Sequence, residues 1–322
     1  MLRMPEFSYV HPKTAQEAVD LMFSTENAHY VAGGTDLLPN IKNGLHEPSL
    51  LIGLGGLPKP TVTLDGGVIS IDGGMKLSAL ASNSLVKASA PSLAEACSLV
   101  AGPQIRNMGT IAGNVMLDTR CIYFNQTEFW REALGFCLKK SGEWCHVINS
   151  PKSCVATQSS DTVPVLMAKN ASLVFLGRDG ERRMNIRDLF QFKGEDHLKL
   201  EKGELLVRIE VPVSAEGTES CYRKVRPRGS IDFPQLGVAI VAQLAETKIE
   251  KLVICVGAIS PTPKMIKGLD AFCGETLSDE VIEKIAAIAK KQCRPQGAVA
   301  GGEKWRREMV AVEVEVGLAG LR

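Results

Sequence analysis

The chain has 322 residues, 45% hydrophobic and 23% charged, which suits a globular protein of about two domains rather than a fibre or a disordered tail. With 37 basic against 36 acidic residues the net charge is +1, so no global field recommends a nucleic acid or an anionic membrane as partner. The N-terminal MLRMPEFSYVHP lacks the apolar core of a secretory signal, and no apolar run approaches the ~18 residues of a membrane span, so the expectation is a cytoplasmic protein with reduced thiols.

In chain order, Thr14-x-x-Glu17 predicts a capping box opening an amphipathic helix, KTAQEAVDLMFS. HYVAGGTDLLPN reads as a strand running into a glycine turn. LIGLGGLPK reads as a loop, because Pro58 and Pro60 prevent a following helix. VISIDGG alternates like a strand, LSALASNSLV and PSLAEACSLVA read as two short helices, and GPQIRNMGTIAGN reads as a second polar turn. SSDTVPVLMAKNASLVFLG predicts a helix and then a strand. The polar stretch VPVSAEGTES marks a boundary, placing one domain at 1–216 and a second at 217–322. In the second, LGVAIVAQLA and KLVICVGAIS flank ETKIE as a hairpin. Two helices follow, the first with Asp279 and Glu280 in its first turn and Lys290 and Lys291 in its last, as the helix dipole favours. Strands grouped before helices predict a small α+β domain.

Gly33-Gly34-Thr35-Asp36 follows an apolar run. Consecutive glycines let backbone N–H groups face an anion without a Cβ in the way, as a pyrophosphate requires, although such a turn is more often only a turn. The GxGxxG fingerprint is absent. The second turn, Gln104 to Asn114, adds Gly109, Thr110, Gly113 and Asn114, with Arg106 as a possible anion partner or a loop-satisfying side chain.

AGGTDLL at 32–38 followed by QIRNMGTIAGN at 104–114 resembles the FAD-binding medium subunits of the molybdenum hydroxylase family. Ser160-Asp161 with Pro164, and YRKVRPRGSIDFPQLGVAI at 222–240, extend the resemblance over nearly the whole chain. It implies an α+β protein: a two-lobed FAD-binding domain followed by a small α+β C-terminal domain. It also implies that Val31, Ala32, Gly33, Gly34, Thr35 and Asp36 form one FAD loop. Gly109, Thr110, Ile111, Ala112, Gly113 and Asn114 would form the second. Asp161 would accept hydrogen bonds from the ribityl or ribose end, and Lys224 would approach the flavin ring; without the resemblance, Lys224 reads as a solvated lysine in a basic run. Two departures stand out. Ala112 replaces a common glycine, and residues 115–159 separate the second turn from Ser160 where the family has a short connection.

That gap, an insertion at about 119–158, holds Cys121, Cys137, Cys145 and Cys154 in the spacing C-x15-C-x7-C-x8-C. No CxxC pair is present, which disfavours a common zinc ribbon and the common ferredoxin patterns. Aromatic residues (Tyr123, Phe124, Phe129, Trp130, Phe136, Trp144) and basic ones (Arg120, Arg131, Lys139, Lys140, Lys152) would wall and neutralise a thiolate-ligated cluster. The residues alone leave three readings: a [4Fe–4S] cluster, a structural zinc with His146 replacing one thiol, or an insertion with merely buried cysteines. The other cysteines, Cys97, Cys221, Cys255, Cys273 and Cys293, read as small buried hydrophobes. His11, His29, His46 and His197 are isolated and are assigned no chemistry.

The insertion's position and its four cysteines resemble a reductive branch of the family, and that resemblance selects the cluster. It implies an electron-transfer subunit with FAD and [4Fe–4S]. Its partners would be a large molybdenum-cofactor subunit, a small subunit with two [2Fe–2S] clusters, and ferredoxin as donor, in a dimer of heterotrimers. Two rivals remain: an NAD-linked hydroxylase subunit whose insertion is a zinc or docking loop, and a non-catalytic binding module with empty glycine turns.

Overall fold

A computed structural model describes residues 3–322. Three sheets organise it. The first is parallel: β1 (Ser8–Val10), β2 (Ala28–Val31) and β3 (Leu50–Gly53) lie in the order β1-β3-β2, with the helix Ala15–Ser24 as the crossover from β1 to β2. That helix starts at Thr14, whose hydroxyl accepts from the Glu17 N–H at 3.1 Å. The reciprocal half of the expected box is displaced by one residue, because the Glu17 carboxylate takes the Lys13 N–H at 2.7 Å instead.

The second sheet is antiparallel. It comprises β4 (Val62–Asp65), β5 (Val68–Asp72), β6 (Ser172–Gly177), β7 (Gly180–Asn185) and β8 (Leu205–Pro212), in the order β4-β5-β8-β6-β7. Its inner residues Ile69, Ile71, Leu173, Phe175 and Ile209 pack on Leu80 and Leu93 of the helices Leu77–Ser82 and Pro91–Leu99, and on Val165 of Thr162–Ala168. The expected single helix over 77–86 breaks at Asn83, which caps a new helix, Ser84–Ser89, by accepting from Val86 N–H at 3.0 Å. The stretch 102–114, read as a turn, contains two short helices, Pro103–Met108 and Ile111–Val115, hinged at Gly109-Thr110. Proline at the first helical position starts the former, and Thr110 caps the latter.

The third sheet is β9 (Thr218–Val225), β10 (Leu236–Ala245), β11 (Lys248–Gly257) and β12 (Lys264–Met265), in the order β12-β11-β10-β9. The hairpin turns at Glu246-Thr247, so β11 begins three residues earlier than the apolar run suggests. It ends before Ala258, whose φ of 60° breaks the pleat. The helices Asp279–Gln292 and Glu303–Ala319 bury Ile285, Ala289, Val310 and Val314 against Ile240 and Ile254. The fold is therefore α+β, with two sheet-bearing lobes and a third α+β unit. Among the described residues no helix is long and apolar enough to cross a membrane.

Candidate functional site

The parallel strand β2 delivers Gly33 to a position where only a hydrogen fits. A Cβ there would sit 2.1 Å from the Met108 carbonyl oxygen. Gly34 adopts φ +69°, which lets the chain reverse into the helix Leu37–Lys42. The two glycine turns, far apart in sequence, thus lie backbone to backbone. The second is stapled from behind: Leu77 N–H donates to Gly109 O at 3.0 Å, Ile111 N–H to Met75 O at 2.9 Å, and Ala112 N–H to Gly73 O at 3.0 Å. The Lys76 ammonium donates to Met108 O at 2.8 Å. Sequence reasoning missed Gly73, read only as the end of the strand VISIDGG, and Lys76.

Among the described residues, the N–H groups of Gly33, Gly34, Thr35 and Thr110 have no protein acceptor. Four donors without partners at a double glycine turn are the donor set a pyrophosphate needs. The other residues of the two loops serve differently. Val31 and Ile111 are core residues, and Ala112 is half-buried. The Thr110 hydroxyl is spent on Gly113 N–H at 3.1 Å. Asn114 Oδ1 accepts from Ser160 Oγ at 2.6 Å and Thr162 Oγ1 at 2.7 Å, clasping the second turn to the Ser160-Asp161 corner. The Asp36 carboxylate accepts from Arg120 Nη1 at 2.7 Å and from Asn40 Nδ2 at 3.0 Å, and as an acceptor it has no proton to give a phosphate. Burial raises the Asp36 carboxyl above its ordinary range, and Arg120 opposes that rise.

Asp161 and Lys224 have each other as first partners. Asp161 accepts from Lys224 Nζ at 2.9 Å and from the Tyr222 hydroxyl at 2.8 Å, and Lys224 also donates to Leu99 O at 2.9 Å. The Lys224 side chain is 1% exposed, so it is not a solvated member of a basic run. Burial pushes Asp161 up and Lys224 down, while each pulls the other back toward the charged form. This pair rivets β9 to the Asp161 corner of the second lobe. Arg106 satisfies loop carbonyls, donating to Val100 O at 2.8 Å and Ala101 O at 3.1 Å.

The insertion leaves the second lobe through a two-residue neck, in which Arg120 and Thr157 exchange both N–H···O bonds at 2.8 Å. Inside it Cys121, Cys137, Cys145 and Cys154 are all buried and line one cavity, together with Tyr123, Phe124, Leu138, Lys139, His146 and Val147. All four are free thiols. Burial pushes Cys121 up to about 11 and Cys154 up to about 12, and neighbouring thiols add to both shifts. Among the described residues no three His, Cys, Asp or Glu side chains are grouped to hold a single metal ion. His146 lies on the cavity wall, but its Nε2 is 2.5 Å from Phe136 O.

The expected shell is thinner than the composition suggested. Tyr123 and Phe124 line the cavity, whereas Phe129 is 82% exposed and Trp144 is 49% exposed. Of the basic residues only Lys139 lines it; its ammonium is fixed by Asp118 Oδ1 at 2.7 Å and lies 4.3 Å from the Phe124 ring. Arg131 turns away and is buried against the helix Leu37–Lys42. Gly194 was not anticipated, because nothing in FKGEDH marks it. A Cβ there would lie 2.8 Å from Cys154 Sγ and 2.6 Å from Ala156 N. Outside the insertion, Cys97, Cys255 and Cys293 are fully buried as expected and Cys221 is half-buried. Cys273 is exposed, in the loop after β12, contrary to expectation.

Two lobes meeting at paired glycine turns, with a third α+β unit fastened behind them, define an FAD-binding protein of the molybdenum-enzyme class. Residues 5–214 match the FAD binding domain in molybdopterin dehydrogenase, residues 220–316 match the CO dehydrogenase flavoprotein C-terminal domain, and the chain belongs to this family as a medium, FAD-binding subunit. It is 27% identical over 312 residues to the glyceraldehyde dehydrogenase medium chain of Sulfolobus acidocaldarius, covering 96% of this chain and 95% of that one. It is 27% identical over 314 residues to the carbon monoxide dehydrogenase medium chain of Hydrogenophaga pseudoflava, covering 97% and 95%. A solved carbon monoxide dehydrogenase from that organism, lacking the Mo-pyranopterin moiety, superposes with a TM-score of 0.79 at 26% identity, covering 98% of this chain and 97% of that one.

Proposed function

We propose that this chain is the flavin- and iron–sulfur-bearing subunit of a 4-hydroxybenzoyl-CoA reductase, an enzyme that removes the phenolic hydroxyl from an aromatic thioester. The observation that carries the reading is the convergence of Cys121, Cys137, Cys145 and Cys154 on one buried cavity within an insertion between the second glycine turn and Ser160-Asp161. A cubane spreads its four thiolates over four irons, whereas zinc draws them to one point at ~2.3 Å each. Four buried thiols lining one cavity supply the four thiolates a cubane needs.

The chain's own residues have distinct tasks. Gly33, Gly34, Thr35 and Thr110 offer N–H groups to the FAD pyrophosphate. Lys139 supplies positive charge beside the thiols, and the Ala156 N–H, 3.4 Å from Cys154 Sγ, offers that sulfur a weak donor. Tyr123, Phe124 and Val147 exclude water. Asp161 and Lys224 hold the C-terminal unit against the FAD lobes. When bound, FAD and the cluster would exchange electrons between a low-potential donor of ferredoxin type and the [2Fe–2S] and molybdenum centres of small and large partner subunits. A dimer of such heterotrimers in the cytoplasm is the assembly proposed.

The test is iron, acid-labile sulfide, zinc and flavin content of anaerobically purified protein, with Cys137→Ser alongside. About four irons and four sulfides per FAD are expected, with the iron lost in Cys137→Ser. Zinc with FAD, or FAD without metal, would instead support an NAD-linked hydroxylase subunit with a structural or docking insertion. Absence of flavin would support a binding module.

A further inference from the structure

The insertion grips the element that carries the first glycine loop. At the start of the helix Leu37–Lys42, Arg120 of the neck holds Asp36 at 2.7 Å. In its middle, Asn125 Nδ2 reaches the buried Asn40 Oδ1 at 3.5 Å, while Asn125 Oδ1 accepts the Cys121 N–H at 2.9 Å. Past its end, buried Arg131 donates from Nη2 to both Asn43 O and Gly44 O at 3.0 Å. The Arg120 guanidinium is also stacked 4.1 Å from the Phe233 ring of the C-terminal unit.

Asp36 presents an electrostatic problem. Its carboxylate directly follows three residues whose backbone donors are arranged for an anion, so an unpaired Asp36 would repel the phosphates those donors attract. We propose that Arg120 is a positioning and charge-neutralising residue for the flavin, cancelling Asp36 so that the loop Gly33–Thr35 can take the FAD pyrophosphate. The insertion is in this sense part of the flavin site as well as the site of the thiols. This rests on the reading of Gly33–Thr35 as the pyrophosphate loop.

The experiment titrates FAD into the deflavinated full complex carrying Arg120→Met, following flavin fluorescence, with iron and zinc content measured in parallel. An affinity loss of about tenfold or more is expected, the scale of one charge-assisted contact. Arg120→Lys should recover part of it. The discriminating variant is Arg120→Met with Asp36→Asn. If charge is the cause, removing the unpaired carboxylate restores most of the affinity; if Arg120 only braces the fold, the second substitution worsens it. Unchanged affinity in Arg120→Met, or no recovery in the double variant, overturns the proposal. Gly34→Val serves as the control for the underlying assignment. Flavin loss there with unchanged Arg120→Met sinks only the role of Arg120, whereas flavin retention there removes the pyrophosphate loop and the proposal with it. Should Arg120→Met fail to assemble, Asp36→Asn alone decides: affinity equal to or above the parent is expected, and a tenfold loss would overturn the proposal.

Discussion

The flavin cradle and the thiol cavity are built by opposite means. The cradle is made chiefly of backbone: N–H groups without protein acceptors on two glycine turns, fixed by a parallel strand on one side and a hydrogen-bonded staple on the other. The cavity is made of side chains projected from short turns, and the six-residue helix of the insertion, Glu128–Ala133, contributes none of its lining residues. A backbone site tolerates drift in its side chains but not an added Cβ at the point of closest approach. A thiol site tolerates irregular backbone but not the loss of one sulfur. The first kind leaves faint, glycine-based marks in a sequence, and the second leaves plain ones.

The largest effect expected from breaking this contrast is at Gly33. Gly33→Val should abolish flavin binding, since a side chain there collides with the Met108 carbonyl and forces the turns apart. A yellow, stoichiometrically flavinated variant would show that the turns need not touch. Next is the rivet behind the cradle. Lys224→Met leaves the Asp161 carboxylate buried and unpaired, at an expected cost of about 3–5 kcal/mol in denaturant unfolding. Adding Asp161→Asn should recover part of that loss, and purely additive costs would mean that the pair is not coupled.

A smaller effect sharpens the comparison from the cavity side. Gly194→Ala should cost about 1–3 kcal/mol and lower the iron content that the proposed cluster requires while leaving FAD bound, because the new methyl presses on Cys154 Sγ rather than on the cradle. Equal loss of flavin and metal would argue that the two regions fail as one. The smallest effect lies at the seam, where His46 follows the helix gripped by the insertion. Burial holds His46 down to about 4, with Asp118 opposing and His29, Lys139 and Lys140 adding to the depression. A lowered folded value means that its contribution is whole above the ~6.5 of a free imidazole and is lost as pH falls toward about 4. Thermal stability of His46→Gln should therefore fall less steeply than the parent's between those pH values. Parallel curves would show that half-buried His46 keeps its solvation in the folded protein.

Much of the fold was legible. Thr14, the Asp279–Lys291 charge pattern and the apolar runs of β10 and β11 announce their elements because caps, end charges and periodicity are local. The two short helices at 103–115 were not, since six- and five-residue helices are held by the Gly73–Leu77 staple and not by their own propensity. The thiols could be read as a cluster of types, but the aromatic and basic residues around them could not be assigned. Phe129 and Tyr123 look alike in sequence, and only packing turns one to solvent and the other to the cavity.

By itself the sequence determined which residues were available: the glycines without which two backbones cannot touch, four thiols in an unexpected gap, and motifs that name a family. The tertiary structure alone decided what each side chain is spent on. Asp36, Asn114, Asp161 and Lys224 stand in the motifs as potential flavin partners, and the fold gives each of them partners within the protein as well. A motif records which donors and acceptors are present. Which of them remain free depends on what the fold brings within 3 Å, and that distance is set by packing between segments far apart in the chain.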